Sequence, residues 1–208
     1  MKLLPNGDRA VLAEFDSLHE VRAAFEAWSR ASLPGIVELV PAARTVLVRV
    51  EPRVLGLGAA QQWLRAHAPT APSTEHPGPL VEIAVTYDGD DLAVVAENWG
   101  CSLEAVATRH AATPWVCAFI GFAPGFGYLV PDTGSAPLPS VPRRATSRPL
   151  VPAGSLALAA EYSAVYPHAS PGGWQLIGRT DATLWSLDRD SPALLAPGTR
   201  VRFVREGS

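Results

Sequence analysis

Arg143, Arg144 and Arg148 stand within six positions of one another on a proline-punctuated stretch, and Arg179 closes a glycine-rich run downstream. Arginine is always charged and presents a planar fork of donors matched to carboxylates and phosphates. Between Ala112 and Thr180 these four guanidiniums are accompanied by only two acids, Asp132 and Glu161, on a chain whose formal charge is −3. A local excess of cation set among aromatic side chains suggests a site for an anionic ligand. The same spacing also fits turns and edges of a small β-barrel with surface arginines, and both readings stand at this point. The guanidiniums on the 143–148 segment cannot all enter one core, so at least one should face a cleft or a protein partner.

Three runs hold these residues: FIGFAPGFGYL (119–129), PRRATSRPLVPAGS (142–155) and YPHASPGGWQLIGRT (166–180). Proline locks φ near −65° and glycine admits positive φ, so Pro124-Gly125 and Pro171-Gly172-Gly173 specify sharp, preset turns. Phe122, Phe126 and Tyr128, with Gly121, Gly125 and Gly127 between them, fit a flat hydrophobic wall. Aromatics in a β-rich domain are more often plain core, and that reading stands beside the wall. On a regular strand Gln175 and Arg179, four apart, share a face, and Trp174 and Leu176 share the other.

A complete catalytic constellation is missing: the chain has no G-x-S-x-G elbow and no H-E-x-x-H pair. His168 and Asp132 are candidate proton carriers or plain loop residues. His110 closes a helical pattern, where the negative end of the helix dipole favours its protonated form; a ligand role and a simple C-terminal cap both fit. Lys2 is the sole lysine, which excludes a Walker-type phosphate loop, a Schiff-base mechanism and a Ser-Ser-Lys amidase. The parsimonious inference is half of a site, with another polypeptide supplying the rest.

The elements that must position these residues emerge from pattern. A chain of 208 residues, 48% hydrophobic and 18% charged, holds one or two cored domains, and its 17 glycines and 20 prolines point to turns and short strands. Residues 8–15 alternate as a half-buried strand. Ser17-x-x-Glu20 is a capping box before an amphipathic helix that ends ahead of Pro34-Gly35. Residues 36–40 and 45–50 read as a hairpin, 54–66 as a second helix, and 80–87 as a strand. Together these give β-α-β-β-α-β, the split pattern of a ferredoxin-like domain, with its last strand either its own or shared with the next domain. A proline-rich connector over 68–79 places the boundary between a small α/β domain, 1–79, and a second domain, 80–208. The second opens with two short helices, 90–99 and 102–110, too acidic for a DNA-reading pair. Short strands at 115–122, 156–160, 174–177, 183–187 and 200–204 then imply a closed or nearly closed barrel, so the fold class is α+β.

Several classes are excluded or disfavoured. No apolar run approaches the roughly 18 residues that span a bilayer, and the start lacks a signal-peptide core, so the cytoplasm is the expected location. Cys101 and Cys117 show neither C-x-x-C spacing nor a neighbouring histidine cluster, so neither a disulfide framework nor a metal site is expected. A pI near 5.9 argues against general nucleic-acid binding.

The ordered motifs GFAPGFGYL, PRR…SR…VPAGS and YP…SPGGWQLIGRT resemble the bacterial family of 5-oxoprolinase B subunits, also known as the sporulation-kinase inhibitor KipI or allophanate hydrolase subunit 1. The likeness extends over about 80–203. The resemblance implies a cyclophilin-like β-barrel for the second domain. It also implies a non-autonomous component of an ATP-dependent 5-oxoprolinase, which opens 5-oxoproline to glutamate together with its C subunit, a KipA-like homologue, and its A subunit. ATP, with Mg2+ as its counter-ion, would be bound by the assembled complex. The small anionic amide would meet Arg143, Arg144, Gln175 and Arg179, with His110, Arg148 and His168 as the catalytic candidates. Phe122, Phe126, Tyr128, Tyr166 and Trp174 would form the pocket wall. The alternative the family offers is a regulatory module of the KipI type that inhibits a sensor histidine kinase by contact. One segment departs: Glu161-Tyr162-Ser163-Ala164-Val165 stands where the family has a Gln-Thr-Gly-Ile-type run, which leaves the substrate open between 5-oxoproline and a different lactam or a urea-like amide.

Overall fold

The computed structural model describes residues 1–31, 33–69, 78–132, 134–135 and 137–206. The chain divides into two compact units, Met1–His76 and Pro77–Ser208. Most of the proline-rich connector, residues 70–77, lies outside the described residues.

In the first unit β1 (Lys2–Pro5), β2 (Ala10–Glu14), α1 (Leu18–Arg30), β3 (Ile36–Pro41), β4 (Thr45–Val50) and α2 (Leu57–Ala66) follow in order. Alternation on β2 buries Val11 and Ala13, and these meet Val21, Ala24 and Trp28 of α1 and Leu64 of α2 in one core. Ser17 caps α1 by accepting from the Glu20 N–H at 3.3 Å. The Glu20 carboxylate reaches back to the Asp16 N–H rather than to the cap's own. The second helix starts later than the expected residue 54, with Gly56 as its extended N-cap.

The sheet order is β1-β2-β4-β3. The β-α-β-β-α core of the split pattern is therefore present, but its fourth strand is β1, paired antiparallel with β2 from Lys2–Glu14 to Pro5–Val11. The strand expected to complete it, β5 (Leu80–Val85), lies in the second unit instead. Six consecutive parallel pairs, from Arg200–Leu80 to Arg205–Val85, hold it there.

The second unit continues with α3 (Leu92–Trp99), α4 (Leu103–Ala112), β6 (Trp115–Ile120), β7 (Gly127–Pro131), β8 (Arg148–Val151), β9 (Ser155–Ala159), β10 (Tyr162–Val165), β11 (Ser170–Gly172), β12 (Gln175–Arg179) and β13 (Arg200–Arg205). Seven strands form one sheet in the order β12-β9-β10-β7-β6-β13-β5. Its two ends meet through paired bonds between Thr86 and Arg179, N–H to carbonyl at 3.0 and 2.9 Å, so the barrel is nearly closed. β8 and β11 form a separate ribbon. The strand expected at 183–187 is absent; that stretch contributes a single bridge, Trp185 to Ala193.

Period-two alternation gives the barrel sheet two different faces. Leu156, Leu158, Val165 and Ile177 join a core shared with Leu92, Val95 and Trp99 of α3. Ala157, Ala159, Ala164 and Leu176 point the other way, beneath Phe126, Tyr166 and Trp174. Three alanines on that side leave room for large rings. No helix among the described residues is long and apolar enough to cross a membrane.

Candidate functional site

Two of the four arginines are committed to one buried carboxylate. Asp91, 2% exposed, stands at the start of α3 without capping it. Its Oδ2 accepts from Arg148 Nη1 at 2.8 Å and its Oδ1 from Arg148 Nη2 at 2.9 Å. Arg144 Nη1 adds a bond at 2.6 Å and the Leu176 N–H another at 2.7 Å. Burial pushes the Asp91 carboxyl up, but the bonds from Arg148 and Leu176 and the attraction of both guanidiniums outweigh it and hold the group below its ordinary range. Arg144 also donates its backbone N–H to the Gly173 carbonyl at 2.8 Å. Gln175 Nε2 donates to the Pro142 carbonyl at 3.0 Å. Arg144, Arg148 and Gln175 thus lace the 142–148 segment to α3 and β12, and the donors named here are used inside the protein.

Gln175 and Arg179 do not share a face. A bulge between Leu176 and Gly178 inserts a residue, so Gln175 pairs with Leu158 while Arg179 pairs with Ser155. Partners three apart on β9 lie on opposite faces, and the expected alternation fails for that reason. Gln175 is buried, whereas Arg179 is exposed and bonds Asp88 Oδ2 at 2.8 Å. The four guanidiniums therefore do not converge on one opening.

Arg143 is the exception. It is exposed, and among the described residues no carboxylate pairs with it. Its guanidinium packs over Gly173. Its charge also lowers the hydroxyl pKa values of Tyr128 and Tyr166 against the larger, upward effect of burial.

Beside it the five rings named as pocket-wall candidates lie together in one cluster. Phe126 is its hub, edge-on to Phe122, Tyr128 and Tyr166 with centroids at 5.2 Å and to Trp174 at 5.4 Å. Each such pair contributes on the order of 0.5–1.5 kcal/mol beyond area burial. Sequence reasoning missed two members: Phe119, stacked on Tyr128 at 4.4 Å, and Tyr162, edge-on to Tyr128 at 5.5 Å. Phe119 lies in an apolar run that reads as pure core; the pairing of Cys117 with Leu129 and of Phe119 with Tyr128, across a bulge, brings its buried ring onto the Tyr128 side of the sheet. Tyr162 sits in the segment that departs from the family pattern, and burial together with Glu161 pushes its hydroxyl up to about 12. Phe126, Tyr166 and Trp174 are buried, Tyr128 and Tyr162 half-buried, and Phe122 exposed. The result is an open face with the Arg143 guanidinium at its edge.

The histidine candidates lie elsewhere. His110 is fully buried on the other face of the sheet, its Nδ1 at 2.8 Å from the Tyr87 hydroxyl and its Nε2 at 2.8 Å from Ser163 Oγ. Burial lowers its pKa to about 3, so it is neutral, donating through one ring nitrogen and accepting through the other. The protonated form expected from the helix dipole is overturned, because desolvation outweighs a favourable terminus. His110 reaches neither solvent nor the aromatic face. His168 is exposed between β10 and β11.

A groove of about 360 Å3 in the first unit is lined by α1, β3 and Leu33 between them. Its one carboxylate, Glu38, is tied to Arg49 at 2.6 Å, so it brings no chemistry. Among the described residues no three histidines, cysteines or acids gather as metal ligands.

Comparison with known proteins narrows the reading. A family model described as carboxyltransferase domain, subdomain C and D, matches residues 1–195. The B subunit of 5-oxoprolinase from Escherichia coli O157:H7 is 39% identical over 210 residues, covering 95% of this chain and 93% of that protein. The crystal structure of TTHA0988 superposes with a TM-score of 0.77 at 34% identity over 96% of this chain, which spans only 40% of that longer protein. The Kluyveromyces lactis urea amidolyase shares the fold, with a TM-score of 0.75 at 20% identity over 98% of this chain and 15% of its own.

Proposed function

From a chain that belongs to the carboxyltransferase-domain family, subdomain C and D, alongside the 5-oxoprolinase B subunits, we propose one wall of a 5-oxoprolinase active site that other polypeptides complete. The observation that carries this is Arg143, a guanidinium with no carboxylate partner among the described residues, set at the edge of the ring face built on Phe126 and Tyr128. 5-Oxoproline carries a carboxylate and a flat five-membered lactam. A planar fork takes the first and an aromatic surface the second.

Lactam opening adds water across the C–N bond, and the nitrogen leaves as the amine of glutamate. The equilibrium is unfavourable near neutrality, so the reaction is coupled to conversion of ATP to ADP and phosphate. This chain's part is to bind and orient: Arg143 fixes the carboxylate, Tyr128 and Tyr162 support the ring, and Arg148 and Gln175 act by holding the 142–148 segment. His110 supports the barrel from inside. Lys2 is the only lysine, so the chain has no phosphate-loop lysine to offer a nucleotide. ATP and its Mg2+ are accordingly assigned to the assembled complex, with the C and A subunits as partners. Tyr162, at a family-divergent position on the ring face, is the residue through which a different lactam or a urea-like amide would be selected.

The test is reconstitution. The chain co-purified with its C and A counterparts should release glutamate from 5-oxoproline only when ATP is present, and Arg143→Ala should lower kcat/KM about 10- to 100-fold, the loss of one charge-assisted contact. An assembled wild-type complex that turns over no cyclic amide would overturn the assignment.

A further inference from the structure

Phe122 stands apart from every other ring of the aromatic face: it is 62% exposed, while Phe126 beneath it is 1% exposed. Its backbone is as unusual as its exposure. Phe122 has φ +67°, and the Ala123 N–H donates to the Gly121 carbonyl at 2.7 Å, so Phe122 is the apex of a three-residue γ-turn of the rare, positive-φ kind. A bulky side chain seldom occupies that position, although glycines lie at 121 and 125 in the same loop.

The strain persists because the surroundings over-determine it. The Gly121 N–H bonds the Phe126 carbonyl at 3.1 Å and the Phe126 N–H bonds the Ala123 carbonyl at 3.0 Å. Gly125, at φ +81°, presses against the 184–185 segment so closely that a β-carbon there would meet Trp185 Cβ at 3.0 Å. Trp185 is itself 40% exposed. Two exposed apolar side chains held on hydrogen-bonded loops fit the anatomy of an interface hot spot, a preorganised aromatic anchor. Preorganisation matters because an anchor already fixed in place loses little freedom on docking.

We propose that Phe122 is the anchor by which another polypeptide of the same enzyme docks, inserting its ring into an apolar socket while Trp185 packs beside it. This rests on the proposed membership of a larger enzyme. The occupant is a different polypeptide rather than a second copy: in TTHA0988 the same fold accounts for only 40% of the chain, so there it is joined to further protein. The relatives of similar length are likewise named as subunits.

The experiment pairs Phe122→Gly with Phe122→Ala. Glycine accepts φ +67° without strain, so the isolated Phe122→Gly chain should melt at or above the wild-type temperature, and Phe122→Ala within a few degrees of it. Association with the co-expressed C and A subunits, followed by sedimentation or calorimetry, should weaken about 30-fold in both, which is about 2 kcal/mol. Equal affinity of wild type and both variants overturns the proposal, as does a Phe122→Gly chain that unfolds far earlier, since the ring would then be structural. Self-association of the isolated wild type that Phe122→Gly abolishes assigns the surface to a second copy and also overturns it. A wild-type chain that binds neither of the others refutes the larger enzyme itself, which separates that failure from this one.

Discussion

The Asp91 carboxylate takes both terminal nitrogens of Arg148, at 2.8 and 2.9 Å, across 57 positions of sequence. Arg144 adds a third bond, so one buried anion holds two cations and ties the 142–148 segment to the start of α3. The arrangement leaves Arg143, beside them in sequence, as the guanidinium available to meet a ligand. Asp91→Ala should destabilise the protein by about 2–4 kcal/mol in urea unfolding. Breaking a fully buried pair costs roughly 3–5 kcal/mol, and the Arg144 side chain is 34% exposed and partly screened.

Neutral His110 predicts an acid-sensitive fold. Its folded pKa is about 3 against an ordinary value of 6.5. Between those values the unfolded chain binds a proton that the folded chain excludes, so stability is full above about pH 6.5 and falls as pH drops. The slope should be about 1.4 kcal/mol per pH unit between roughly pH 6 and 4. His110→Gln removes the titrating group while keeping a donor and an acceptor for Tyr87 and Ser163; its stability should be flatter over that range. A wild-type profile level from pH 7 to 4.5 would contradict this. Asp91, held below the ordinary carboxylate range, adds its own loss only at still lower pH.

Arg143 and Arg144 are sequence neighbours with opposite duties, and substitution should separate them. Arg143→Ala should leave stability within about 0.5 kcal/mol, as for most exposed sites, and still impair the reconstituted enzyme. Arg144→Ala should lower stability, because it removes a bond to Asp91 and uncovers a buried charge. Unfolding midpoints and kcat/KM measured on the same preparations decide it: two variants with matching profiles would erase the distinction.

Local chemistry was readable where it depends on neighbours in the chain. The spacing of Phe122, Phe126 and Tyr128 and the turn residues between them raised a ring face as one of two readings, and the capping box at Ser17 announced α1. What escaped depends on long-range partners. Nothing near Arg148 in sequence points to Asp91, one of two adjacent acids, Asp90 and Asp91, where a helix cap is expected. The bulge in β12 parts Gln175 from Arg179, and its one local mark, Gly178, reads equally as a close approach of neighbouring backbone, which it also makes with Thr86. The strand at 80–85 satisfied the ferredoxin-like pattern locally, but its six pairs with β13 decided its sheet, and those partners lie 120 residues away.

Gly89 ties the two halves of the arginine lock together. Its backbone lies so close to β12 that an added β-carbon would stand 2.4 Å from the Leu176 carbonyl oxygen and 2.5 Å from the Gly178 nitrogen. Both are backbone atoms, which cannot rotate away as a side chain would, so Gly89→Ala must push the 88–91 loop off the strand. That movement stretches the bond from the Asp91 N–H to the Leu176 carbonyl at 2.9 Å and the return bond from the Leu176 N–H to Asp91 Oδ2 at 2.7 Å. The expected loss is about 2–4 kcal/mol. Because the displaced loop carries Asp91, Gly89→Ala and Asp91→Ala should be less than additive, with a coupling of roughly 0.5–3 kcal/mol in a double-mutant cycle. Strict additivity would mean that the glycine and the carboxylate act independently, and that the approach of the 88–91 loop to β12 is not what presents Asp91 to Arg148.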